Sequence, residues 1–182
     1  MALTEAQTDL RRAHVNGGAG VLVSGLAWLV AATVLIAAGP RPAFFTLFVC
    51  GLAIAPVAQL VTKFVFKAPP SGEGKRLEWI AITTVPILLG GFYFGWRGLE
   101  AAPLAAIPMV AIGVGLRYLT FPAMYGGLLF AGLGAAFIAG GVAGHAAPES
   151  VAVPMTLGLA LTELALGTLL VRQWRAAGNA PA

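Results

Sequence analysis

Charged residues cut this chain into long uncharged stretches, and the lengths of those stretches narrow the fold more than any other feature. Val15 to Pro40, Pro42 to Thr62, Trp79 to Trp96, Ala101 to Leu116 and Tyr118 to Pro148 hold no Asp, Glu, Lys or Arg, and Ser150 to Val171 holds only Glu163. An α-helix rises about 1.5 Å per residue and the hydrocarbon core of a bilayer is about 30 Å thick, so roughly 20 apolar residues cross it. The fourth stretch is short for a crossing, but Arg117 can snorkel to the interface and the apolar sequence resumes at Tyr118, Leu119 and Phe121. The expectation is an all-α integral membrane bundle of six transmembrane helices, a single domain over residues 1–182 with spans at about 18–39, 43–65, 79–96, 101–116, 121–143 and 151–171.

Composition supports that class. Hydrophobic residues make up 59% of the chain and charged residues 10%, against roughly 45 to 50% and about 25% in a soluble domain. The net charge of +4 has no basic or aromatic-basic face that would receive a phosphate backbone, so it reads as loop charge and nucleic acid is not an expected partner. The lone Cys50 has no partner for an intrachain disulfide. Met1 to Asn16 carries Glu5 and Asp9 beside Arg11 and Arg12, and the run that follows exceeds the roughly 7 to 15 apolar residues of a signal peptide, so the first run is expected to be retained as a helix. Before it, Thr4 and Gln7 have capping-box spacing, and Leu3, Ala6, Leu10 and Ala13 recur at helical spacing, which predicts a short interfacial helix.

Basic residues are retained on the cytoplasmic side of a membrane. With six spans, Arg11, Arg12, Lys63, Lys67, Lys75, Arg76, Arg117, Arg172 and Arg175 share one side, and Arg41 and Arg97 the other. That split predicts cytoplasmic termini. Trp79, Tyr118 and Trp174 fall at the inner boundary and Trp96 at the outer. Five spans would place Arg172 and Arg175 outside, against the same rule.

Small residues let helices approach in lipid. Gly20, Ser24, Ala27 and Ala31 form one stripe in the first span, Gly127, Ala131, Gly134 and Gly141 another in the fifth, and Gly91 and Gly95 share a line with Thr84 in the third. Such stripes are seams within one chain, or contacts to a second copy or a partner membrane protein. Pro56, Pro86, Pro108 and Pro154 fall inside apolar runs and predict bends in four spans.

Glu163 is the one acid within a span. An ionised side chain there costs about 2.5 to 3.5 kcal/mol on insertion scales, so such groups face the bundle interior and find partners. Thr156, Ala160, Glu163 and Gly167 share one helix face, with Leu157, Leu161 and Leu164 opposite. Gln59 lies at similar depth in the second span with Thr62 on its face, and Thr84 lies a turn into the third. Glu163, Gln59, Thr62, Thr84, Thr156 and Arg117 are therefore the candidate intramembrane polar cluster, expected to line a pocket open to the cytoplasmic side. Two readings of Glu163 stand: it binds a proton or cation during transport, or it is a neutral or hydrogen-bonded acid locking helices together. No catalytic residue, cofactor-binding residue or cofactor is indicated. His145 and Glu149 are too few for a metal site, and no phosphate-binding loop or nucleophile with a base is present.

Arg11-Arg12-x-x-x-x-Gly-Gly-x-Gly, running into Ser24-Gly25-Leu26-x-Trp28, together with Arg117-Tyr118-x-Thr-Phe121-x-x-x-Tyr125-Gly126, resembles a family of uncharacterised small bacterial multi-pass membrane proteins. The resemblance implies bacterial inner (plasma) membrane residence and draws attention to Arg117, Tyr118 and Tyr125 as further members of the polar cluster. It supplies no activity. Two functions are consistent with these residues: a small permease-like or ligand-binding bundle around Glu163, its small-molecule or ion substrate unspecified, or a structural or accessory subunit that packs through its glycine faces. An intramembrane enzyme acting on lipid is a more distant third.

Overall fold

The computed structural model describes residues 3–179; residues 1, 2 and 180–182 of the expected domain lie outside them. The described residues form helices and no strands. Helix α1 spans Leu3–Ala13, and after a 3-10 turn at Val15–Gly17 come α2 (Gly18–Ala38) and α3 (Pro40–Leu60), the latter ending in a π-helical turn at Val61–Val65. Then follow α4 (Lys75–Thr83), α5 (Val85–Gly98), a 3-10 turn at Pro103–Ala105, α6 (Ala106–Tyr118), α7 (Phe121–Tyr125), α8 (Leu129–Ala146) and α9 (Pro148–Trp174), with a last π-helical turn at Arg175–Asn179. Six stretches are long and apolar enough to cross a membrane: Val15–Ala38, Pro40–Val65, Lys75–Gly98, Pro103–Tyr125, Leu129–Ala146 and Pro148–Gly178. The outward surface is what lipid would cover, since Phe45, Val49, Leu52, Phe94, Val142 and Leu161 are each more than half exposed.

Several boundaries differ from expectation, each for a backbone reason. The fifth span was expected to begin at residue 121, but Gly126 stands at φ 71° and breaks the helix, so Phe121–Tyr125 joins the fourth stretch and α8 starts at Leu129. Of the four prolines, Pro56 and Pro154 lie inside helices. Pro86 instead opens α5 after a break at Thr84, and Pro108 lies in the first turn of α6. The capping box does not form: α1 already includes Thr4, and Gln7 Nε2 donates to Ala123 O in α7 at 3.0 Å.

Around the bundle the neighbours run α3, α2, α9, α8, α6, α5. Glycine seams set the spacing. A methyl group on Gly25 would lie 3.0 Å from the Leu164 nitrogen of α9, one on Gly113 2.9 Å from Gly91 Cα, and one on Gly134 2.7 Å from Gly115 O. Gly91, Gly95, Gly134 and Gly141 thus meet helices of the same chain. Gly20 and Gly127 do not: nothing lies within 4 Å of a methyl group built on either. On α2 the glycines that approach α9 are Gly18 and Gly25; of the expected stripe of Gly20, Ser24, Ala27 and Ala31, Ser24 reaches α9 through its hydroxyl, while Gly20 meets no neighbour.

α3 and α5 flank a gap. They meet at the end of the bundle away from the termini, where Phe92 packs edge-on against Phe44 and Phe48 at centroid distances of 5.8 and 5.2 Å, and Phe44 lies on the bare backbone of Gly95. Toward the terminal end the two helices diverge, and the space between them is the site described below.

The terminal end is closed by a polar cap. Asp9 Oδ2 accepts the backbone N–H groups of Gly72 and Gly74 at 2.8 and 2.9 Å, and Glu78 Oε1 lies 2.5 Å from Ser71 Oγ and 3.0 Å from His14 Nε2. Trp174 Nε1 donates to Arg12 O at 2.9 Å, which ties the last long helix to the first short one. Val15 and Asn16 take positive φ values of 55° and 56° to turn α1 away from α2. Asn16 Nδ2 donates to Leu170 O at 3.2 Å and Val15 is fully buried, contacts that hold a backbone a β-branched residue rarely adopts.

Candidate functional site

Glu163 lies midway along α9 and is fully buried. Ser24 Oγ of α2 donates to its Oε1 at 2.8 Å, and the Tyr118 hydroxyl of α6 donates to the same oxygen. Its Oε2 is sealed from solvent without a partner. The acid therefore joins three helices at one point. Tyr118 is aimed there by its ring contacts, edge-on to Phe121 and Phe137 at 5.4 and 5.6 Å and stacked near Phe130 at 6.2 Å. Trp28 closes the same core against Phe137 at 5.4 Å.

On the other side of Ser24 and Tyr118 is a cavity of about 240 Å³ bounded by α2, α3, α5, α6 and α7. Its polar end is formed by His14, Gln59, Thr62, Arg117 and Tyr125, and its apolar end by Trp28, Leu47, Phe92 and Val110. Gly51, Ala55, Ala58 and Thr62 recur along the α3 wall at about one helical turn, with Leu47, Ile54 and Gln59 beside them. Ala55 and Gln59 are exposed, which places the mouth on the flank between α3 and α5.

Of the six expected cluster residues, the structure brings Gln59, Thr62 and Arg117 to the cavity wall. Glu163 is one layer behind it, reached through Ser24 and Tyr118. Thr84 and Thr156 stand apart: the Thr84 hydroxyl donates to Ile80 O at 2.8 Å and that of Thr156 to Ala152 O at 2.6 Å, each within its own helical stretch. Neither lines the cavity, and each hydroxyl is satisfied one turn back along its own helix. Sequence reasoning did not assign Ser24 or His14 to the site. The one trace of Ser24 in the sequence is its depth, six residues inside the terminal end of α2, with Glu163 eight residues inside Val171 on α9.

Arg117 is the charge that faces the cavity. Its Nη2 donates to Ala81 O at 3.2 Å, its guanidinium carbon is 5.6 Å from the Phe121 ring centroid, and its Nε is sealed without a partner. Among the described residues no carboxylate pairs with it, and neither Asp nor Glu lines the cavity.

These features define a helical bundle of the multi-pass membrane type, with an internal hydrogen-bonded acid and a cavity of small-molecule size opening on its flank. The chain belongs to DUF7010, a family of unknown function whose pattern matches residues 3–173. That range includes every residue that carried the resemblance, from Arg11 to Gly126. No curated protein and no solved structure matches the chain.

Proposed function

We propose that this protein is a small permease-like or ligand-binding bundle of the bacterial inner membrane, with both termini in the cytoplasm, and that its ligand occupies the cavity between α2, α3, α5 and α6. The observation that carries the reading is the cavity itself, which ends at an unpaired arginine. The cleft between these helices holds about 240 Å³, just below the roughly 300 to 1,000 Å³ typical of ligand pockets. The cytoplasmic assignment rests on the nine basic residues counted for the terminal side. The proposed role of Glu163 is positional: it holds Ser24 and Tyr118 in the cavity wall.

Gly20 supplies the test. It lines the cavity, and a methyl group there meets nothing within 4 Å. Gly20→Leu should fill the cavity while leaving the fold intact. Native mass spectrometry of the full chain in mild detergent should show a small molecule retained by the wild type and absent from the variant. Equal retention by both places the ligand elsewhere and defeats the proposal. The alternative reading is an accessory subunit packing through its glycine faces, of which Gly91, Gly95, Gly134 and Gly141 meet the chain's own helices while Gly20 and Gly127 do not; a stoichiometric protein in the same spectra would favour it.

A further inference from the structure

We infer that the ligand is an amphiphile with one hydrocarbon chain and a single anionic head group, a carboxylate or a phosphate ester, bound with its head at Arg117 and its chain against Trp28 and Phe92. This deepens the ligand-binding reading and rests on it.

Charge comes first. The acid that drew attention in the sequence is not on the cavity wall; Ser24 and Tyr118 cover it. The wall carries a guanidinium and no carboxylate. His14, the other basic group there, is already within 3.0 Å of Glu78, so Arg117 is the cation left without a counter-charge. A cation held in a low-dielectric setting without a partner is costly, and a carboxylate or phosphate matches the donor fork of arginine. A cationic ligand would meet repulsion at the same place.

Shape supplies the second half. Beyond Tyr118 the cavity has no charged group, and its far end is shut by the Phe44, Phe48 and Phe92 cluster. A polar end with a cation, an apolar end closed by aromatic rings and a side mouth toward lipid suit a molecule that is itself polar at one end. The side mouth also sets the source, since a chain entering between α3 and α5 comes from the bilayer. The volume accommodates one chain rather than two.

The full chain, purified in a neutral maltoside detergent, would be titrated with dodecanoate, dodecyl phosphate and dodecanol, and complexes counted by native mass spectrometry. At least one of the two anions should bind about tenfold or more tightly than dodecanol, the least expected from a charged hydrogen bond; which one is tighter separates carboxylate from phosphate. Arg117→Gln should remove that preference, read as the ratio of anion to dodecanol binding within the variant itself, while Arg117→Lys should keep part of it. Equal binding of all three by the wild type overturns the anionic class while leaving the cavity reading intact, and this comparison needs no variant to fold. Failure of all three to bind, or binding untouched by Gly20→Leu, would sink both.

Discussion

Two hydroxyls on one carboxyl oxygen decide the behaviour of Glu163. Glu163→Ala removes the acceptor of Ser24 and Tyr118 and leaves a void where three helices meet. Orphaned buried hydroxyls cost about 1 to 3 kcal/mol each, and core truncation adds to that. The expected loss is on the order of 3 kcal/mol or more in a denaturation experiment in detergent. Glu163→Gln keeps a carbonyl oxygen for both donors and should cost about 1 kcal/mol or less. If the two variants are equally destabilised, the hydrogen bonds are not what holds the helices. Sequence alone singled out Glu163 because one acid in an apolar run has to face inward. It hid Ser24, since a serine in a stripe of small residues has the same size signature as glycine or alanine and differs only in a hydroxyl whose target is 139 residues away.

Between helices, glycine works only where a neighbour's backbone comes close. Gly113→Ala puts its methyl group 2.9 Å from Gly91 Cα, and backbone cannot step aside as a side-chain end can, so α5 and α6 must separate; a loss of about 1 to 3 kcal/mol is expected. Gly90→Ala is the control. It has nothing within 4 Å, and the helix gains up to about 1 kcal/mol from the lost glycine flexibility. Melting both variants in the same detergent should move them in opposite directions, and a parallel shift would mean that the seam does not control spacing. Spacing patterns in the sequence found the lines of glycine on α5 and α8 but could not say that on α2 Gly18 and Gly25 take the seam and Gly20 the cavity. Adjacent positions on a helix differ by about 100°, and only the partner decides which angle counts.

At the scale of the molecule, Trp174 bonded to Arg12 puts the last helix beside the first, and nine of the eleven basic residues were counted on that side. Reporter fusions at each terminus should both be active in the cytoplasm and inactive beyond the membrane; opposite results at the two ends would require an odd number of crossings. The sequence by itself determined that the chain is helical, that six stretches are long enough to cross, and that one acid is set among them. Those properties are local: apolar length counts residues, and a backbone in hydrocarbon must satisfy its own hydrogen bonds. Tertiary structure alone decided that Gly126 splits a continuous apolar run, that α3 and α5 part to leave a cavity, and that its wall carries Arg117 while Glu163 lies behind it. The first turns on the left-handed backbone taken at one glycine; the other two depend on the rotation of one helix against another, which is set by close contacts between residues far apart in the chain and leaves no periodic trace in the sequence.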